Sequence, residues 1–322
     1  MLLFDFAMVA LGLFILVGAG DLLVKGAVNL SLRLGIPALI VSLTIVAFGT
    51  SAPELLIAIK AVLENAPGIA LGNVVGSNVA NVMLVLGLPA MFVGLNTADC
   101  DTRRSYVQMI AATVLFIALC FLGPITWVHG FVLLAALAWM LWDAFGEARA
   151  HKRETNQAAA STDDEEEVEG ADPDLPWIKI FLFLGLGLIG LPLGADLLVD
   201  GSVNIARAFG MSETVIGLTL VAFGTSLPEL AAVIAAAVRG HGDVALGNVI
   251  GSNMFNLLAI IGVASFVGDM RVPRELLHFD LWVMLGTSLL LAPIVFARLN
   301  IGRAIGAGLT AIYAVYVVLL LT

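Results

Sequence analysis

Ala47-Phe48-Gly49-Thr50-Ser51-Ala52-Pro53-Glu54 stands inside an apolar run, and 175 residues later the chain repeats it as Ala222-Phe223-Gly224-Thr225-Ser226-Leu227-Pro228-Glu229. Each copy sets one acid, two hydroxyls and a proline among hydrophobic neighbours. A carboxylate at membrane depth costs about 2.5 kcal/mol or more even on permissive scales, so two of them at matching positions call for a reason. The pair predicts one shared cation site.

Working outward, the same offset pairs Asp21 with Asp196, Gly26 with Gly201, Asn29 with Asn204, Gly35 with Gly210 and Thr44 with Thr219. Beyond the motif it carries Gly72-Asn73 onto Gly247-Asn248, Gly76-Ser77-Asn78 onto Gly251-Ser252-Asn253, and Asn81 onto Asn256. No gap is needed over about 65 residues, the mark of an internal duplication.

The chain has 322 residues, 60% hydrophobic and 12% charged, with a mean hydropathy of +1.04. Soluble domains carry about 25% charged residues, so this is the composition of a multi-pass membrane protein. A spanning helix takes about 20 apolar residues. On that rule helices are predicted near 6–30, 36–62, 69–93, 105–122 and 126–146, then near 177–205, 212–238, 244–267, 277–297 and 301–321. The fold class read from this is an all-α membrane protein with ten transmembrane helices in two inverted five-helix repeats. The first repeat covers 1–146, an acidic linker 147–176, and the second repeat 177–322. Five is odd, so the second copy enters the bilayer the other way up, as inverted-repeat transporters do. With the N-terminus outside, cytoplasmic loops receive nine Lys and Arg residues and external loops four, which favours both termini outside and a cytoplasmic linker.

The net charge of −10 is concentrated in the linker, where 147–176 holds ten acids and three bases. Without a basic face, nucleic-acid binding is excluded. Asp163-Asp164-Glu165-Glu166-Glu167-Val168-Glu169 reads as a solvated hinge. An EF-hand is rejected because Pro176 stands where the closing Glu belongs. Cys100 and Cys120 define neither a disulfide framework nor a metal spacing. No Lys or Arg precedes Lys25, so the first apolar segment reads as a retained helix rather than a cleaved signal.

Ala47, Thr50, Ser51 and Glu54 follow i, i+3, i+4, i+7 and are expected on one helical stripe. Pro53 has no N–H to give the carbonyl of Gly49, which leaves main-chain oxygen available. Ala222, Thr225, Ser226, Pro228 and Glu229 repeat the arrangement. Hydroxyl, carbonyl and carboxylate oxygens are ligands for hard cations. The next helix adds Asn73, Ser77 and Asn81 along one side, and its counterpart Asn248, Ser252 and Asn256. Gly72 with Gly76 and Gly247 with Gly251 form GxxxG pairs, so for Gly72, Gly76 and Ser77 helix packing competes evenly with a ligand role. Asp21 and Asp196 are expected as caps or interfacial anchors, and the four histidines as ordinary surface residues.

GTSAPE with GNVVGSNVAN, and GTSLPE with GNVIGSNMFN, resemble the α-repeats of the sodium/calcium exchanger (cation/Ca²⁺ antiporter) superfamily, its bacterial branch above all. The resemblance covers both repeats and the helix layout. It implies a Ca²⁺ site from Thr50, Glu54, Thr225 and Glu229. It also implies one Na⁺ site from Ala47, Thr50, Ser51 and Glu229, and another from Ala222, Thr225, Ser226 and Glu54. Asn81 and Asn256 would line the middle. Some members carry Asp where this chain has Asn256, so the centre holds two formal negatives, enough for one Ca²⁺ or two Na⁺. The implied function is Na⁺/Ca²⁺ antiport by alternating access in the cell membrane, with the two ions as substrates and the bilayer as surroundings. No cofactor and no obligate protein partner are implied; a monomer suffices. H⁺ or K⁺ coupling stays open, and a channel is the less favoured class. An intramembrane enzyme is disfavoured because neither histidines nor cysteines supply a nucleophile–base set.

Overall fold

A computed structural model describes residues 2–158, 172, 175–210 and 224–321, with the backbone path alone at 151–158 and 320–321. Among the described residues the chain is helical apart from short loops and two isolated antiparallel bridges, Leu95 with Ile301 and Ile125 with Met270. Among the described residues seven helices are long and apolar enough to cross a membrane, or eight if the bent pair Ala38–Thr50 and Ala52–Leu63 is one span. Leu227–Val238 and Arg303–Leu319 are shorter apolar helices, and the part of the span expected at 212–238 that precedes 224 lies outside the described residues.

Two long helices, Leu2–Leu34 and Trp177–Ala208, pack along their whole length. Gly201 lies against Asp5, Gly12 against Gly194, and Gly26 against Leu184. The numbers rise on one helix as they fall on the other, so the pair is antiparallel. Contact is backbone to backbone: a Cβ on Gly12 would meet the carbonyl oxygen of Gly194 at 2.7 Å. Small residues at such crossings let helix axes approach closely. The most buried spans are Pro67–Val93 and Gly242–Val267, which form the centre, whereas the two long helices and the Trp127–Ala150 span keep most of their surface outward.

Each central span interrupts its α-helix with one π turn, Asn81–Val85 in the first and Asn256–Ile260 in the second, again 175 residues apart. Single π turns inside α-helices recur at functional sites. The motif itself is broken. Ala47–Thr50 ends at Ser51 (φ −85°, ψ 6°), and Ala52–Leu63 departs at a bend of 42°. Ser226 takes the same conformation (φ −89°, ψ 4°) ahead of Leu227–Val238. The expected single stripe is therefore shared between two helices. Pro53 and Pro228 sit in the first turn of the second piece, where no N–H is needed.

Two further expectations change. The helix expected to stop at 146 continues to Ala158, because Glu147-Ala148-Arg149-Ala150 and the residues after it are good helix formers. The far end of the linker is docked rather than free: Asp172 N–H donates to Asn29 Oδ1 at 2.8 Å, and the Arg33 guanidinium donates to the Leu175 carbonyl at 3.0 Å. The acidic run 163–169 lies outside the described residues. Gly247 packs as its GxxxG motif suggests, with room for no Cβ beside the Leu39 carbonyl at 2.8 Å, and Gly251 abuts Leu43. Positions 214 and 218, the counterparts of Leu39 and Leu43, lie outside the described residues, so the packing of Gly72 and Gly76 there is not described.

Candidate cation site

Glu54 and Glu229 open the first turns of Ala52–Leu63 and Leu227–Val238, each 1% exposed. A helix N-terminus presents unpaired N–H groups and a partial positive charge, which steadies an acid there. The two acids share one place, since Glu229 lies within hydrogen-bond reach of Ser51, three residues before Glu54. Among the described residues no ion pair engages either of them.

Contacts across the site join one copy to the other. Ser51 stands at a helix N-cap but makes no capping bond; its hydroxyl donates to Glu229 Oε1 at 3.1 Å instead. Thr50 Oγ1 lies 3.3 Å from Asn248 Oδ1 and 3.3 Å from the Ala47 carbonyl, which also accepts Ser51 N–H at 3.1 Å. Asn81 Nδ2 donates to Asn253 Oδ1, and Asn256 Nδ2 to Asn78 Oδ1, both at 3.0 Å. Exchanging each residue for its partner at the 175 offset turns one of these bonds into the other, the signature of a local two-fold axis.

Seven buried side-chain atoms among the described residues lack a hydrogen-bond partner: Glu54 Oε2, Glu229 Oε2, Asn81 Oδ1, Asn256 Oδ1, Ser252 Oγ, Asn73 Nδ2 and Asn248 Nδ2. Native interiors leave few such atoms, so seven in seven motif residues mark a place built to hold something polar. Five of the seven are oxygens, the donor set of a hard cation. Of the other expected ligands, Ser77 and Ser226 are buried, and Thr225 and Asn73 are half-buried. Ala222 lies outside the described residues.

Some expectations fail here. Asp21 does not cap a helix end: its helix runs the full 33 residues of Leu2–Leu34, leaving Asp21 in the interior. There it accepts from Arg239 Nε at 2.7 Å across to the Leu227–Val238 helix, and pairs with Lys25 at 3.0 Å. His241 is buried, since it leads into the tightly packed Gly242–Phe255 helix. Asn78 and Asn253 fall outside the spacing of four that selects 73, 77 and 81 in the first copy and 248, 252 and 256 in the second. Their signal was the repeated Asn three residues before Asn81 and Asn256.

The sodium/calcium exchanger protein family matches residues 4–144 and 179–322 of this chain. The sodium/calcium exchanger MaX1 of Methanosarcina acetivorans is 33% identical over 353 residues, covering 99% of both proteins. The inner membrane protein YrbG of Escherichia coli is 32% identical over 316 residues, 98% of this chain and 96% of that protein. A structure of the sodium-calcium exchanger NCX_Mj soaked with Na⁺ and Sr²⁺ superposes with a TM-score of 0.83 at 31% identity, over 99% of both chains. A second, soaked without Na⁺ or Ca²⁺, gives 0.79 at 31% and the same coverage. With both copies of the motif inside the matched segments and likeness extending along nearly the whole chain, this multi-pass membrane protein belongs to the sodium/calcium exchanger family.

Proposed function

We propose that the protein is a secondary antiporter that exchanges Na⁺ for Ca²⁺ by alternating access and drives Ca²⁺ out of the cytoplasm. The observation that carries this reading is the set of partnerless buried oxygens on Glu54, Glu229, Asn81, Asn256 and Ser252, gathered from both copies of one motif. Ca²⁺ would be held by Thr50, Glu54, Thr225 and Glu229. Na⁺ would be held on one flank by Ala47, Thr50, Ser51 and Glu229, and on the other by Ala222, Thr225, Ser226 and Glu54. The Ala47 carbonyl joins its set once the Thr50 hydroxyl turns from it to the ion. Asn73, Ser77 and Asn81 with Asn248, Ser252 and Asn256 line the centre.

Two carboxylates neutralise one Ca²⁺ or two Na⁺. Unloaded, they are unpaired charges out of water, which is strongly unfavourable. Loaded, the site is neutral enough to be occluded. Only ion-loaded protein then changes its facing, and that makes it an exchanger rather than a leak. The ten-helix layout in two inverted repeats, with both termini outside and a cytoplasmic linker, is the architecture in which this works. Its support is the antiparallel pairing of the Leu2–Leu34 and Trp177–Ala208 helices and the distribution of Lys and Arg.

K⁺ coupling is the second reading to test. The sodium/potassium/calcium exchanger 4 of Homo sapiens is 25% identical over 149 residues, 44% of this chain and 22% of that protein. The experiment is ⁴⁵Ca²⁺ uptake into proteoliposomes under imposed Na⁺, K⁺ or H⁺ gradients. Uptake driven by internal Na⁺ alone supports Na⁺/Ca²⁺ exchange. Uptake that follows a K⁺ or H⁺ gradient and ignores Na⁺ overturns it.

A further inference from the structure

We propose that Asn78 and Asn253 are positioning residues, which decide the end of the Asn256 and Asn81 amides that faces the ions. This rests on the cation-site reading above. An amide side chain has two ends of nearly equal shape and opposite use: its oxygen binds a cation, and its NH₂ repels one. Nothing in the shape of Asn81 or Asn256 chooses between them. Their partners do.

The choice can be traced to groups of fixed polarity. Asn78 Nδ2 donates to the main-chain carbonyl of Asn253 at 3.2 Å and faces the Met284 sulfur at 3.8 Å. Asn253 Nδ2 in turn faces the main-chain carbonyl of Asn78 at 3.5 Å and the Met109 sulfur at 3.7 Å. A carbonyl oxygen only accepts, so each of these amides must turn its NH₂ toward the other's backbone. Its Oδ1 then points the opposite way, onto Asn256 Nδ2 in one case and Asn81 Nδ2 in the other. With those NH₂ groups held, the ends left over are Asn81 Oδ1 and Asn256 Oδ1, both buried and both without a partner. All four asparagines are 1% exposed or less, so bulk water does not compete for these bonds. The polarity of two main-chain carbonyls is thereby passed through two side chains to two ligand oxygens.

The wiring is crossed, and the test uses that. Full-length protein in proteoliposomes is assayed for the ⁴⁵Ca²⁺ concentration giving half-maximal uptake, for Asn78→Ala, Asn253→Ala, Asn81→Ala, Asn256→Ala and the four double variants that join one of the first pair to one of the second. Asn78→Ala and Asn253→Ala should each raise that concentration up to about tenfold, the upper end of what one neutral hydrogen bond contributes. On an Asn256→Ala background, Asn78→Ala should add less than about twofold, and on Asn81→Ala its full effect. Asn253→Ala should show the reverse pattern. A purely structural role multiplies equally on both backgrounds, and that outcome overturns the proposal. So do unshifted values for Asn78→Ala and Asn253→Ala when Asn81→Ala and Asn256→Ala are shifted. If Asn81→Ala and Asn256→Ala are themselves unshifted, it is the cation-site reading that fails, and the positioning role with it. Asn78→Leu and Asn253→Leu, which keep the volume and remove the amide, carry the same cycles where an alanine variant does not assemble.

Discussion

Ser51 occupies a position where serine ordinarily satisfies the first N–H groups of a helix, yet its hydroxyl serves a carboxylate from the other copy of the motif. That diversion gives up a cap worth about 1 kcal/mol, and a ligand role explains the exchange. Ser51→Ala should therefore leave the fold in place and raise the Na⁺ concentration for half-maximal ⁴⁵Ca²⁺ exchange at least about tenfold, since a hydrogen bond to a charged group is worth about 1.5–3 kcal/mol. An unchanged Na⁺ dependence in well-assembled protein removes Ser51 from the site. Glu54, Glu229 and the hydroxyls beside them were legible from sequence because ionisable and polar residues are conspicuous against an apolar background. Asn78 and Asn253 were harder, since their partners are side chains and main-chain carbonyls a whole copy away. Asp21 was misplaced for a related reason: its partner, Arg239, is 218 residues distant, and only packing brings them together.

At the level of elements, apolar run length placed the helices among the described residues well, with the Leu122–Thr126 break falling where Gly123 and Pro124 stand. What it missed are the π turns of the two central spans, because inserting one residue into a fully buried helix leaves the surrounding apolar pattern nearly unchanged. The proline of each motif signals a helix break, and the structure sets it at Ser51, two residues before Pro53. The Asp21, Lys25 and Arg239 cluster becomes Asp196, Asp200 and Glu64 at the 175 offset, so this ion-paired tie belongs to the first helix alone. The antiparallel run of Leu2–Leu34 against Trp177–Ala208 is the element-scale basis for opposite orientation of the two copies. It predicts that Ala150→Cys and Glu275→Cys, made singly with Cys100 and Cys120 replaced, react with an impermeant maleimide from opposite sides of the membrane. Labelling of both from one side contradicts inverted repeats.

For the whole molecule, the duplication matters because neither copy completes the site. Thr50 and Ser51 of the first copy meet Asn248 and Glu229 of the second, and each copy's central asparagine is held by the other's. Two independent sites, one per copy, would have given contacts that stay within a copy. The central claim is therefore a single cation site with two indispensable charges, and it is tested most directly by ⁴⁵Ca²⁺ flux in Glu54→Gln and Glu229→Gln. Gln is nearly isosteric with Glu, so assembly should survive while a divalent ion is left one negative short in a poorly solvated place. That loss is expected to cost about 3 kcal/mol or more, over about a hundredfold in affinity. Each single variant should lose Ca²⁺ flux at low micromolar calcium, with Glu64→Gln, exposed at the end of Ala52–Leu63, close to the parent. Normal flux in both variants, or about half the parent flux in each, contradicts the single shared site.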